Sequence, residues 1–485
     1  MSYILGIDEG TTSARVVLFD TKLNKIVKIS RGRFAQYYPT PDAVEHNAEE
    51  IFKIVNRGLK ECLEDIDPKK VAGIGITNQR ETIVAWSIKT NSPLTNALCW
   101  QDNRTADYCK KLKASKFANI IKEKTGLLPD SYFSSSKIKW LLENVPNVKK
   151  ALKENDLRVG TIESFLVAKL TGGESFVSDV TNACRTQLLN IKTLTWDDEL
   201  LKIFGVPKHI LPNIVSNSET VGYYNYKGFK IPICGLCGDQ QSSLFGQGCV
   251  KAGEMKNTYG TGAFLLMNTG SKIVNCNNLL TTVALKIKNK VTYALEGSIY
   301  NCGTAVDWAT EIFNFKTAKN LDECAAKVKD SLGVYFVPSF NGLGAPYWNM
   351  DPAGMLYGIT RGTTKNHIAR AILDGIAYRV YDVSLQFEKS TGQKIKAFKA
   401  DGGVTNNKTL MQFQADLIGC NITLSHGEST VLGAIYLAGL ASGVYKNEDE
   451  ILSKIVTLGS FAPAKLPNEK QLVAGWKKAI EKTCL

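Results

Sequence analysis

Long hydrophobic runs are missing from this 485-residue chain. No uncharged apolar stretch approaches the roughly 18 residues that span a bilayer, which excludes a membrane-spanning helix. The opening Met1-Ser2-Tyr3-Ile4-Leu5-Gly6-Ile7 has no basic region and meets an acid at Asp8. That argues against a secretory signal and for a cytoplasmic location. Proline is sparse, at 14 residues, and no proline-rich linker, low-complexity segment or long charge block divides the chain. The dipeptide Gly-Lys never occurs and no Gly-x-Gly-x-x-Gly follows an apolar strand, so P-loop and dinucleotide readings are weak. Histidine is scarcer still. His46, His209, His367 and His426 share no i,i+3 or i,i+4 spacing, which speaks against a His metal site.

Arginine is also rare. Lys plus Arg at 59 against Asp plus Glu at 46 gives +13, but the excess is nearly all Lys and no basic run exceeds two residues. A nucleic-acid surface clusters its cations and reads base edges with Arg, so no nucleic-acid partner is expected. The charge suits anionic small molecules instead. Twelve Cys without an export signal read as reduced thiols. Only Cys234 and Cys237 stand at Cys-x-x-Cys spacing, inside an apolar run, and read as buried small hydrophobes rather than a zinc or redox pair.

What is present is ordinary globular material, 44% hydrophobic and 22% charged. Single cores stop growing near roughly 250–300 residues, so this chain builds more than one. Tyr3 to Ile7 and Val16 to Phe19 read as strands joined by the turn chemistry of residues 8–13. Val71 to Thr77 predicts a third strand, Glu81 to Ser87 a fourth, and 104–124 and 135–154 predict amphipathic helices. The pattern then restarts at 256–262, a strand and a Gly-Thr turn that enters the apolar run 263–267. Ile368, Ile372, Ile376, Val380 and Val383 recur near helical period, with Gly392 as the stop, and a strand comes next at 395–400. The economical reading is two α/β halves joined near 245–255, lobes of 1–248 and 249–485, with a ligand cleft between them.

Gly10-Thr11-Thr12-Ser13 and Gly260-Thr261-Gly262 each offer backbone N–H groups and hydroxyls at a tight turn, a device that holds anionic oxygens. Asp8 ends the first strand, where a carboxylate can hold Mg²⁺ beside phosphates. Asp239, in Gly238-Asp239-Gln240-Gln241, ends another apolar strand. It reads either as a helix cap or as a carboxylate that takes a substrate proton in phosphoryl transfer. Asn78-Gln79-Arg80-Glu81 is polar at a strand end, where α/β ligands gather. Trp100 and Tyr132 offer aromatic walls, equally suited to core filling.

At these residues the chain resembles the FGGY carbohydrate kinases, whose two-lobed fold is shared with actin and hexokinase. The resemblance runs from about Tyr3 to Trp476. It is carried by Gly-Ile-Asp-Glu-Gly-Thr-Thr-Ser-Ala-Arg (6–15), Val-Glu-His (44–46), Gly-Ile-Thr-Asn-Gln-Arg-Glu-Thr (75–82), Thr-Asn-Ala-Cys-Arg-Thr (181–186), Gly-Asp-Gln-Gln (238–241), Asn-Thr-Tyr-Gly-Thr-Gly (257–262) and Asp-Gly-Gly-Val-Thr-Asn-Asn (401–407). The two longer family signatures stand at 132–144, around Lys137 and Trp140, and at 354–374. It implies two ribonuclease-H-like lobes, a polyol site and first phosphate turn in the N-terminal lobe, and a nucleotide site in the C-terminal one. The implied reaction is ATP-dependent phosphorylation of glycerol to glycerol 3-phosphate, with Mg²⁺, by a homo-oligomer (dimer or tetramer). Arg80, Glu81, Tyr132, Asp239 and Gln240 would hold the glycerol hydroxyls, with Trp100 and Phe264 against its carbon edge. Thr11, Thr12, Ser13, Arg15 and Thr261 would meet the phosphates. Gly303, Asp307, Gly403 and Asn407 would contact the nucleotide, Asp8 and Asp239 would fix the metal, and Asp239 would be the catalytic base.

The chain also departs from the pattern. Glu9 replaces a common Gln and is expected to add a charge beside the phosphate turn. Asp307 stands where Gln is usual, which touches the nucleotide contact. Another polyol or ketose, such as erythritol or xylulose, is the alternative substrate, and the Arg80-Glu81-Tyr132 set argues against it. A nucleotide-gated binding protein without transferase activity would be expected to lack Asp239 or the polyol contacts.

Overall fold

The computed structural model describes residues 2–425 and 427–485, so His426 and whatever is expected of it lie outside the described residues. The chain divides into two units, Met1–Gly248 with Thr281–Tyr293 and Glu428–Ile455, and Cys249–Leu280 with Ala294–Gly427 and Val456–Leu485. The main join falls at 248/249, but the division into 1–248 and 249–485 needs correction, because residues 281–293 and 428–455 belong with the first unit. The helix Ser429–Ala441 shows why the chain returns. It is apolar nearly all round and buries Val431, Ala434 and Ile435. It can sit close because glycines face it: a Cβ on Gly6 would lie 2.7 Å from Val431, and one on Gly75 2.2 Å from the Ala434 carbonyl oxygen.

In the first unit, β1 (Tyr3–Glu9), β2 (Ser13–Asp20) and β3 (Lys25–Arg33) form an antiparallel meander. Next comes α1 (Ala48–Leu63), whose Asn47 side chain accepts the N–H groups of Glu49 and Glu50 and satisfies two orphan donors of the first turn. The next strand, β4 (Val71–Asn78), runs parallel to β1. A hairpin of β5 (Ser218–Tyr226) and β6 (Phe229–Gly238) completes the sheet, with β6 parallel to β4. The sheet order is β5-β6-β4-β1-β2-β3. β4 is buried at every residue, the pattern of a parallel strand covered on both faces. Its core gathers Leu5, Ile7, Ile74, Ile76, Val55 and Leu59.

A second sheet, most of whose strands lie in the second unit, follows a related plan. β7 (Glu254–Tyr259) and β8 (Ala263–Gly270) are antiparallel, β9 (Leu280–Ile287) and β10 (Lys290–Ile299) come next, and β11 (Ala397–Asp401) runs parallel to β7. With β12 (Ile422–Ser425) and β13 (Thr457–Phe461) the order is β9-β10-β8-β7-β11-β12-β13. In both sheets an antiparallel pair, β1–β2 and β7–β8, has its first strand also paired in parallel with a later strand, β4 and β11. This is the ribonuclease-H-like layout.

Local expectations hold where turn chemistry is decisive. The helix expected around 368–383 runs from Lys365 to Thr391 and stops at Gly392, whose φ of 68° a glycine adopts without a Cβ clash. Each of the two long helices expected earlier is instead a pair. Stretch 104–124 splits into Ala106–Lys113 and Phe117–Thr125, the second started by the Ser115 hydroxyl accepting the Phe117 N–H at 3.2 Å. Stretch 135–154 splits into Ser134–Asn144 and Pro146–Lys153, because Pro146 lacks an N–H and holds Val145 extended. The fourth strand begins at Ile83, and it pairs in a separate five-stranded sheet. Among the described residues no helix is long and apolar enough to cross a membrane.

Candidate active site

Three neighbouring parallel strands end together. Glu9 of β1 and Gly238 of β6 both lie opposite Asn78 of β4. The segments leaving these three strand ends gather at one edge of the sheet, and they are chemically dense. After β4 the backbone turns at Glu81, where φ is +64°, an uncommon conformation for a non-glycine residue, and the Ser134 hydroxyl holds the Glu81 carbonyl at 2.9 Å. After β6 the helix α2 (Asp239–Gly246) starts with Asp239 in its first turn, where the helix dipole favours a negative charge. Arg80 joins the two. Its Nε lies 3.3 Å from Asp239 Oδ1 and 3.8 Å from Glu81 Oε1, and an NH1 hydrogen donates to Gln241 Oε1 at 3.1 Å. The side chains of Arg80 and Glu81 are 2% exposed and that of Asp239 is 29% exposed, so Asp239 is the most accessible of the three.

The aromatic side is formed by Trp100 and Tyr132, edge to face with ring centres 5.6 Å apart. The Trp100 indole donates to Thr11 Oγ1 at 3.0 Å, which ties this wall to the 10–13 turn. In that turn the Gly10 N–H donates to the Ser13 carbonyl, leaving Thr12 and Ser13 exposed. Arg15 forks onto Asp8, with Nε and NH2 at 2.9 and 2.6 Å from Oδ2, and also pairs with Glu428. A phosphate that engages Arg15 competes with those two carboxylates. Gln240 donates its backbone N–H to Asp239 Oδ1 at 2.7 Å and its amide to Oδ2 at 3.2 Å.

Burial sets the charges here. It pushes the Asp8 carboxyl up, opposed by the Arg15 charge and hydrogen bonds. Burial raises Glu9 well above the usual carboxylate range, and the neighbouring charges of Asp8 and Asp239 add to it. The charge expected of Glu9 beside the 10–13 turn is therefore disfavoured. It is fully buried, accepts from the Gln79 amide at 2.8 Å, and is held toward its neutral form. His46 contacts the same amide through Nδ1 at 3.2 Å, and burial lowers its pKa to about 4.

The second unit carries the other expected residues. The Gly260–Gly262 turn closes on itself through Gly260 N–H to the Gly262 carbonyl at 2.8 Å. The helix α3 (Gly303–Ile312) then begins against it, with Gly303 N–H donating to the Gly260 carbonyl at 2.9 Å. A Cβ on Gly303 would fall 2.6 Å from that oxygen, so only glycine allows this approach. The structure thus joins Thr261 to Gly303 and leaves Asp307, exposed, one turn further along α3. Asp401 of β11 lies opposite Thr258 of β7, so Gly403 and Asn407 leave the sheet at the edge that also bears Thr261. Gly403 is exposed and Asn407 buried, its amide donating to the Val404 carbonyl. Phe264 lies on β8, partly buried.

Three residues at the first edge escaped sequence reasoning as functional groups. Lys137 is buried, with Nζ 3.1 Å from the Tyr132 carbonyl, 3.5 Å from that of Trp100, and close to that of Ser131. Gln241 donates to Thr282 Oγ1 and the Val283 carbonyl, each at 3.2 Å, while receiving Arg80. Arg185 places Nε 2.5 Å from Glu81 Oε1. Lys137 and Arg185 stand inside family motifs and Gln241 beside the Asp239-Gln240 pair, so their presence was a signal but their partners were not. Cys234 and Cys237 are buried in β6, and no described His, Cys, Asp or Glu cluster of three or more could hold a metal.

The model of the FGGY family of carbohydrate kinases matches residues 3–246 with its N-terminal domain and 255–442 with its C-terminal domain. Over 99% of both chains, the sequence is 46% identical to glycerol kinase of Bacillus cereus (strain G9842), and equally so to that of Bacillus anthracis. The fold superposes on Plasmodium falciparum glycerol kinase with ADP at a TM-score of 0.95 and 36% identity, covering 100% of this chain and 99% of that one. Gluconate kinase of Lactobacillus acidophilus matches at 0.87 and 26% identity, covering 99% and 96%.

Proposed function

The chain belongs to the FGGY family of carbohydrate kinases, and from that premise we propose that it transfers the γ-phosphoryl group of ATP to a terminal hydroxyl of glycerol, releasing glycerol 3-phosphate and ADP. One observation carries the choice of substrate. Arg80, Glu81 and Asp239 converge at a single sheet edge beside the Trp100–Tyr132 wall. This arrangement offers donors and acceptors to a small polyol's hydroxyls and a ring edge to its carbons. The full-length likeness to glycerol kinases supports the same reading.

In this reading Asp239 accepts the proton of the attacking hydroxyl. Its Oδ1 is already held by Arg80 and the Gln240 backbone N–H, so the carboxylate is oriented before substrate arrives. It does not need a raised pKa, because the hydroxyl proton becomes acidic late in a loose transition state. Glu81 and Arg80 orient the hydroxyls, and the 10–13 turn offers backbone N–H groups and hydroxyls to the transferring phosphate. Thr261, Gly303, Asp307, Gly403 and Asn407 of the second unit would serve the nucleotide. The residues present fit Mg²⁺ arriving with the nucleotide, since that ion takes one or two carboxylates and keeps waters and phosphate ligands. Asp8, near the end of β1, and Asp239, first in α2, would supply those carboxylates. When bound, the ion would neutralise phosphate charge.

Steady-state turnover of glycerol, erythritol, xylulose and gluconate by the purified chain tests the reading. Glycerol is expected to lead in kcat/KM by at least about 10²-fold, because the extra hydroxyls of the longer substrates would lose water without gaining partners in a site fitted to three carbons. A preference for xylulose or gluconate would overturn it.

A further inference from the structure

The segment Thr181–Thr186 has a clear sequence signature but no assigned task. It forms the short helix Val180–Ala183 and a 3₁₀ turn, Cys184–Thr186, and all of these residues are buried. Asp179 anchors its start, accepting the N–H groups of Thr181 at 2.8 Å and Asn182 at 3.3 Å. From this anchor two side chains reach the candidate site. Thr181 Oγ1 accepts the N–H of Gly238, the residue before Asp239, at 2.9 Å and donates its own hydrogen bond to Asp179. Arg185, fully buried, places Nε 2.5 Å from Glu81 Oε1 and lays its guanidinium 5.6 Å from the Tyr132 ring centre and 5.1 Å from that of Phe133.

We propose that Arg185 is a positioning residue for polyol binding, holding the Glu81 carboxylate and the Tyr132 ring in place from behind without touching substrate. The inference rests on the reading of Glu81 and Tyr132 as polyol contacts. Glu81 sits on a left-handed backbone and is nearly inaccessible, so its carboxylate needs a fixed cation to define where its lone pairs point. Arg80 Nε lies 3.8 Å away and is engaged with Asp239 and Gln241, whereas Arg185 Nε is closer, at 2.5 Å. A planar guanidinium can meet a carboxylate at its edge while its face lies over aromatic rings. An ammonium cannot do both.

Arg185→Met and Arg185→Lys, compared with wild type for kcat, glycerol KM and ATP KM, test this. Arg185→Met is expected to raise glycerol KM by about 10–100-fold, the usual size of a lost hydrogen bond to a charged group. ATP KM should stay within about twofold, the range of a contact that is not made. Arg185→Lys should recover part of the loss. A glycerol KM unmoved by Arg185→Met, or ATP KM rising in step with it, would overturn the proposal, because a merely structural role does not separate the substrates. If Arg185→Met does not fold, Arg185→Lys decides alone. A raised glycerol KM with ATP KM constant supports the role, and two unchanged constants overturn it. If wild type ignores glycerol, the substrate reading fails, and the same variants are measured on the polyol that it does turn over.

Discussion

His46 gives up its proton far below an ordinary imidazole because burial removes water from the charged ring, bringing its pKa to about 4 from 6.5. Between those values the unfolded chain binds more protons than the folded one, so acid destabilises the fold through this residue by about 3 kcal/mol over the window. Glu163 works in the opposite sense. Burial and the charge of Asp179 raise it to about 7, so its contribution is present in acid and lost as pH rises through about 4.5 to 7. Denaturant unfolding of wild type and His46→Gln at several pH values isolates the first effect. The stability difference between them should shift by about 3 kcal/mol against wild type from pH 7 to 4, and parallel curves would contradict the assignment. At Asp239 the expectation is kinetic. Asp239→Asn keeps the shape and removes basicity, so kcat should fall by about 10²–10⁴, or roughly 3–5.5 kcal/mol of barrier. Glycerol binding measured by calorimetry should weaken far less. A variant that retains most of its kcat would leave Asp239 as a first-turn helix residue and no more.

Among the elements, α2 carries the strongest constraint, because it presents Asp239 and is pinned from behind. A Cβ on Gly433 would lie 2.0 Å from the Ser242 carbonyl oxygen, and one on Gly246 2.0 Å from that of Ser429. The helix Ser429–Ala441 and α2 therefore meet backbone to backbone. Gly433→Ala should push them apart at a cost of about 1–3 kcal/mol, the range for overpacking. Because α2 moves with Asp239, kcat should drop along with the melting temperature. An unchanged melting temperature with full kcat would show that the helices have room. Local signals predicted such elements well where a single residue decides, as at Gly392 or Pro146. They misjudged helix continuity at 115–116, where a serine hydroxyl restarts the helix within an otherwise amphipathic pattern.

The molecule as a whole shares one strand pairing between its two sheets and furnishes their edges differently: carboxylates, arginines, aromatic rings and one glycine turn at the first, a second glycine turn packed on Gly303 at the other. Substitutions in the two units should therefore separate by substrate. Arg80→Ala should raise glycerol KM by about 10–100-fold, as expected for a lost charged hydrogen bond, with ATP KM little changed. Asp307→Gln, which removes an exposed negative charge from the expected nucleotide contact, should lower ATP KM by up to about fivefold, the scale of surface charge interactions. Glycerol KM should stay constant. Steady-state kinetics with each substrate varied checks both, and cross-effects of equal size would contradict the division of labour.

The amino-acid sequence by itself determined the strand ends and the residues that stand on them: Asp8 after an apolar run, Gln79-Arg80-Glu81 after another, Asp239 after a third, and the paired glycine turns. Those features are local, because strand period and turn chemistry act over a few residues, so short motifs suffice to reveal them. Only the tertiary structure decided that Glu9 is held toward neutrality, that Arg185 meets Glu81 across 104 residues of chain, and that residues 428–455 return to the first unit. Each depends on burial and on close approach between segments distant in sequence. The free energy of such contacts comes from the water and neighbours excluded by packing, and nothing in the adjoining residues records it.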